Sequence, residues 1–155
     1  MLPDTRAFLV LTRHRVPFVI IGGHAVNFHG YVRSTEDADA IWIRTSESKV
    51  ALLAALTELH AQYIGNEKDP ATGLEKMYPV TPSYINVSHL IMVWTDIGFL
   101  DLFDYVPGYL DADVNEFYAE SHERDGLRYA SRSWLEKMKR AAGRSKDLDD
   151  LANLP

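Results

Sequence analysis

No cysteine occurs among the 155 residues, which excludes a disulfide framework and a thiolate zinc site and makes a reducing cytoplasm the expected location. No apolar run approaches the ~18 residues of a membrane span, and the N-terminus lacks a signal-peptide pattern, so no membrane partner is expected. Internal repeats, heptads and low-complexity tracts are also missing, and residues 1–155 read as one domain. Gly22-Gly23-His24 lacks the G-x-G-x-x-G spacing of a dinucleotide fingerprint, and no lysine follows a glycine loop in the Walker manner. What remains is a chain of ordinary globular composition, 46% apolar and 25% charged.

The net charge of −6 argues against nonspecific nucleic-acid binding by the whole surface, but the charge is uneven. Residues 132–155 carry Arg132, Lys137, Lys139, Arg140, Arg144 and Lys146 against Glu136, Asp147, Asp149 and Asp150. A basic tail beside an acidic body suits a polyanionic ligand such as a triphosphate.

Hydrophobic spacing predicts a helix capped by Asp4 and running to about Arg15, where Pro17 ends it, then a buried strand over Phe18-Val19-Ile20-Ile21. Gly22-Gly23 turns the chain into a short helix reaching Gly30. Residues 37–43 read as a second strand, and Thr45 or Ser46 opens a helix to His60 with Val50, Leu53, Leu56 and Leu59 inward. Residues 61–83 contain Gly65, Asp69-Pro70, Gly73, Pro79 and Pro82, and are expected to be a long loop with at most one short element, in the manner of a lid. Two strands, 85–94 and 99–103, form a hairpin about Thr95-Asp96-Ile97-Gly98. A weaker helix over 113–121 and a short strand over 127–130 follow. A further helix has capping-box spacing at Ser133-Trp134-Leu135-Glu136 and an inward face of Trp134, Leu135, Met138, Ala141 and Ala142. Gly143 stops it, and Ser145 caps a last helix through Leu154.

The chemistry-bearing stretch is Arg33-Ser34-Thr35-Glu36-Asp37-Ala38-Asp39. On an extended strand, residues i and i+2 point to one side, so Asp37 and Asp39 present two carboxylates together. Adjacent anions repel unless a cation sits between them, and Mg²⁺ prefers one or two carboxylates plus substrate phosphates. Asp101, within Phe99-Leu100-Asp101-Leu102-Phe103, is an acid in an apolar strand and so needs a partner or has work to do. It is the candidate third carboxylate; its alternative is burial against an arginine. Asp104, three residues on, points to the opposite face if the strand continues.

Gly22-Gly23, Asp37-x-Asp39 and Asp101 together resemble the signature of the nucleotidyltransferase fold superfamily. Arg33-x-Thr35-x-Asp37-x-Asp39 with the tail from Lys137 to Leu151 looks like small bacterial nucleotidyltransferases related to AbiEii toxins. The resemblance implies an α/β (α+β) fold with a mixed β-sheet flanked by helices. It further implies that Asp37, Asp39 and Asp101 hold two Mg²⁺ ions, with Mn²⁺ able to replace them, and that a hydroxyl attacks the α-phosphate of an NTP. Gly22 and Gly23 would let backbone N–H groups approach the β- and γ-phosphates. Lys139, Arg144 and Lys146, with Arg33 in a less defined role, are the candidates for binding nucleotide. Thr35 would hold the loop before Asp37 through its hydroxyl, Asp147 would anchor Arg144 or Lys139, His24 and His29 would have surface or packing roles, and Trp42, Trp94 and Trp134 would pack in the core.

Three functions are compatible with these residues. One is NMP transfer to RNA or another macromolecule, in a toxin setting with an antitoxin partner or a homodimer. Another is transfer to a small antibiotic-like acceptor, and the third is a noncatalytic module of the same fold.

Overall fold

The computed structural model describes residues 4–155, and its centre is one eight-stranded mixed sheet with helices on both faces. The strands are β1 (Phe18–Ile21), β2 (Ala38–Trp42), β3 (Gln62–Lys68), β4 (Glu75–Pro79), β5 (Leu90–Thr95), β6 (Gly98–Phe103), β7 (His122–Arg124) and β8 (Leu127–Tyr129). Their spatial order is β4-β3-β5-β6-β2-β1-β8-β7. The helices are α1 (Arg6–Arg13), α2 (Gly22–Phe28), α3 (Ser46–Glu58), α4 (Pro82–Val87), α5 (Val114–Ala119), α6 (Arg132–Ala142) and α7 (Ser145–Asn153). The mixed sheet flanked by helices agrees with the expected fold class.

Strand alternation divides the core between the two faces. Phe18 and Ile20 of β1, Ala38, Ala40 and Trp42 of β2, and Leu100 and Leu102 of β6 pack against Phe8 and Leu11 of α1 and Leu52, Ala55 and Leu56 of α3. Val19, Ile21 and Ile41 face the other way, toward Phe117 of α5 and Met138 of α6. Full burial of side chains this size contributes about 1.5–3 kcal/mol each, so the two clusters fix the central strands firmly. β1 and β2 are antiparallel, with Ile21 opposite Asp39; β2 and β6 are parallel, with Asp39 opposite Asp101. The acids of interest therefore lie on the face covered by α6.

Several expected elements differ in detail. Residues 61–83 are not a loop: β3 and β4 form an antiparallel hairpin on the sheet edge, followed by α4, which occupies residues expected to begin a strand. Gly65 sits within β3 because a Cβ there would lie 2.3 Å from the Tyr78 ring. On α3 the buried face is Ser48, Leu52, Ala55 and Leu56, whereas Val50 is 71% exposed. Ser131, not Ser133, caps α6, accepting from the Trp134 N–H, and Ala141 and Ala142 are exposed while Lys139 is buried in their place. Arg144, not Ser145, is the capping residue of α7, and the Asp147 side chain accepts its backbone N–H. Gly143 adopts φ 63°, the left-handed stop expected of it.

Candidate active site

The chain leaves β1 at Ile21 and turns at Gly22, whose φ of +65° suits glycine, directly into α2. That turn faces the start of β2. A Cβ on Gly22 would lie 2.5 Å from Asp39 Oδ2, and one on Gly23 would lie 2.5 Å from Thr35 Oγ1. The glycine pair thus lets the loop before β2 close against the β1–α2 turn, holding Asp39 at the end of both central strands. Thr35 Oγ1 donates to the Asp37 carbonyl at 3.4 Å, as the sequence suggested.

Asp37, Asp39 and Asp101 line one cavity of about 200 Å³ with Gly22, Lys139, Arg144 and Lys146. Asp39 and Asp101 are neighbours across the β2–β6 ladder. Burial, then the charges of Asp101 and Asp37, push Asp39 up to about 7, with Lys146 opposing the rise. Burial, then the charge of Asp37, likewise raise Asp101. Asp37 is exposed at the entrance.

Among the described residues, no three His, Asp or Glu side chains form a ready-made metal cage. The arrangement is a close carboxylate pair with a third acid on the same cavity wall. Oxygen donors of this kind, two of them mutually repulsive when ionised, fit a divalent cation that draws its remaining ligands from phosphate and water.

Asp104, the rival acid, points away from the cavity and is held by Arg44 at 2.7 Å and His89 at 2.9 Å. The arginine-paired acid of this segment is therefore Asp104, and Asp101 faces the cavity.

The basic residues fall into two groups. Lys139 is 6% exposed, and its Nζ lies 3.2 Å from Asp147 Oδ1 and 2.9 Å from Asp150 Oδ2. Arg33 grips Asp150 bidentately, at 2.7 and 2.8 Å, and Arg144 Nε donates to Asp147 at 2.7 Å. Burial alone would raise Asp147 and Asp150, but the hydrogen bonds from these cations outweigh it and hold both acids below the usual carboxylate range. Arg33 and Lys139 are thus engaged in a cluster that ties the loop before β2 to α6 and α7. Arg144 and Lys146 are exposed on the cavity wall, and Lys146 lies outside that cluster. Asp147 anchors both Arg144 and Lys139, as expected; Asp150 is a structural residue that sequence reasoning passed over.

His24 is buried edge-on against Phe8, and His29 contacts the Ala130 carbonyl at 2.7 Å, so both have packing roles. Trp42 is fully buried, whereas Trp94 is 45% exposed, contrary to the expectation that it packs in the core.

No protein-family model matches the sequence, and no curated protein matches it. Among solved structures, JHP933 from Helicobacter pylori superposes with a TM-score of 0.50 at 18% identity, over 95% of this chain and 61% of that one. A second H. pylori structure, a "putative nucleotidyltransferase", gives a TM-score of 0.43 at 17% identity, over 87% and 54% of the two chains. The chain thus spans about three-fifths of JHP933, with which it shares its mixed α+β fold.

Proposed function

We propose that this protein is a metal-dependent nucleotidyltransferase that moves NMP from an NTP to a hydroxyl acceptor. The observation that carries this reading is the placement of Asp39 beside Asp101 in register, with Asp37 ahead of them, opposite the Gly22 turn and the Arg144–Lys146 wall. That cavity is lined by three acids and by the cationic side chains of Lys139, Arg144 and Lys146. The likeness of these residues to nucleotidyltransferases related to AbiEii toxins supports the same reading.

Asp37, Asp39 and Asp101 would hold Mg²⁺, which when bound supplies charge neutralisation at the entering and leaving oxygens. Arg144 and Lys146 would steady the β- and γ-phosphates, while the Gly22–Gly23 turn acts by letting Asp39 and Thr35 close against it. Asp101 would take the proton of the acceptor hydroxyl as its oxygen attacks the α-phosphorus. The bond from that phosphorus to the bridging oxygen breaks, and pyrophosphate leaves. Arg33 and Lys139 act indirectly, by fixing the Asp37 loop and α7.

The acceptor in this reading is RNA or another macromolecule, in a toxin–antitoxin setting, or a small molecule. A noncatalytic nucleotide-binding module would keep the same cavity without turnover. Calorimetric titration with each NTP in Mg²⁺, repeated with Asp37→Ala and Lys146→Ala, tests the first step. Binding that requires Mg²⁺ and weakens in both variants is expected; the absence of metal-dependent binding for all four NTPs would remove the basis of the proposal.

A further inference from the structure

A second cavity, of about 530 Å³, opens on the other side of Asp101. It opens beside the point where β3 and β5 meet, at the pair Gln62–Trp94, beyond which, among the described residues, no further β3–β5 register pairs follow. The fork is lined by Tyr63 and Tyr84, stacked at 3.9 Å, and by Met92, Trp94 and Phe99, with Trp94 and Phe99 edge-to-face at 4.0 Å. Met92, Trp94 and Phe99 are 57%, 45% and 49% exposed, so the cavity offers apolar surface to an incoming molecule. Its volume lies in the ~300–1,000 Å³ range of small-molecule sites, which are mostly apolar with a few polar groups.

The two cavities differ in charge. Asp101 lines both, while Lys139, Arg144 and Lys146 line only the smaller one and, among the described residues, no lysine or arginine lines the larger. A ribose-phosphate backbone would meet an anion there with no cation to offset it, whereas nucleic-acid affinity rests chiefly on Lys and Arg contacts to phosphate.

We infer that the fork between β3 and β5 is the acceptor site, and that it takes a low-molecular-weight hydroxyl compound with an aromatic or apolar, non-anionic body. The inference rests on the nucleotidyltransferase reading. The acceptor's rings lie against Trp94, Phe99 and Met92, its hydroxyl reaches Asp101, and the phosphates stay beyond Asp101 on the cationic side. The acceptor oxygen forms its bond to the α-phosphorus, its proton passes to Asp101, and pyrophosphate departs from the NTP with the electrons of the broken bond.

The probes are 2-(2-naphthyl)ethanol and 4-phenylphenol, compared with a single-stranded RNA bearing a free 3′-hydroxyl. Binding is followed by NMR shifts of the protein without nucleotide or metal, and transfer by label from α-³²P NTPs with Mg²⁺. Both aromatic alcohols should shift the Trp94 indole signal and the backbone of β5 and β6. Trp94→Ala and Met92→Lys, checked for an unchanged circular dichroism spectrum, should raise acceptor KM about tenfold or more while leaving NTP KM within about twofold. Two exposed positions are used so that a folding defect in one leaves the other informative. Transfer to RNA with a KM unchanged by either variant would overturn the inference and leave the nucleotidyltransferase reading standing. A dimer that Met92→Lys dissociates, with no alcohol bound, would overturn it by assigning the face to a second copy. Alcohol binding without any NTP binding would instead sink the nucleotidyltransferase reading on which it rests.

Discussion

Asp39 and Asp101 occupy opposed positions on two parallel strands, and burial raises both carboxyls above the usual carboxylate range. The pairing follows from the β2–β6 register, which packing of Ala38, Ala40, Leu100 and Leu102 on the far face fixes. A slip of one residue would exchange the acids for core residues.

The raised carboxyls give the metal-free protein a pH-dependent stability. Asp39 moves from 3.8 to about 7 on folding, so the folded state binds more protons than the unfolded one between those values. Stability is therefore greatest below about pH 4 as far as this group is concerned, and falls as pH rises through about 7. The loss is on the order of 2–4 kcal/mol before solvent relaxation. Thermal melts without metal should show Asp39→Asn more stable than wild type at pH 8 and less different at pH 5. Mg²⁺ with NTP should raise the wild-type melting temperature at pH 8 but not that of the variant.

Gly22 has no room for a side chain. Its φ of +65° and the 2.5 Å approach of Asp39 Oδ2 to its Cβ position mean that Gly22→Ala must move the carboxylate or the turn. A destabilisation of about 1–3 kcal/mol in urea unfolding is expected, together with loss of metal-dependent NTP binding. Unchanged nucleotide affinity in that variant would contradict the role given to the turn.

Lys139 and Lys146 should separate cleanly. Lys139 is buried between Asp147 and Asp150, so Lys139→Ala leaves two buried acids short of a cation and should cost about 3–5 kcal/mol of stability. Lys146→Ala, at an exposed position, should change stability by about 0.5 kcal/mol or less. Its effect should appear in NTP binding. Equilibrium denaturation and calorimetry on the two variants distinguish the roles.

Much of the site was legible because strand periodicity is short and rigid. Counting in twos separates Asp101 from Asp104, and Asp101 does line the cavity while Asp104 turns to Arg44; Asp37 lies just before β2 and reaches the cavity from the loop. The β3–β4 hairpin was illegible because its residues are mostly exposed and polar, so no hydrophobic alternation marks it, and its glycine is there for the Tyr78 ring. Lys139 is placed by the resemblance with Arg144 and Lys146 among the expected nucleotide contacts. Its position four residues after Leu135 places it on the inward face, where Asp147 and Asp150 of α7 make burial tolerable. The fork between β3 and β5 depends on where two strands part, which no local pattern reveals.

The most direct measurement compares NTPs labelled at the α- and γ-phosphates, incubated with protein, Mg²⁺ and acceptor. The account predicts that α-label becomes attached to the acceptor, that γ-label leaves as pyrophosphate, and that transfer disappears in Asp39→Asn and Asp101→Asn. Attachment of γ-label, or α-label transfer undiminished in both variants, would contradict it.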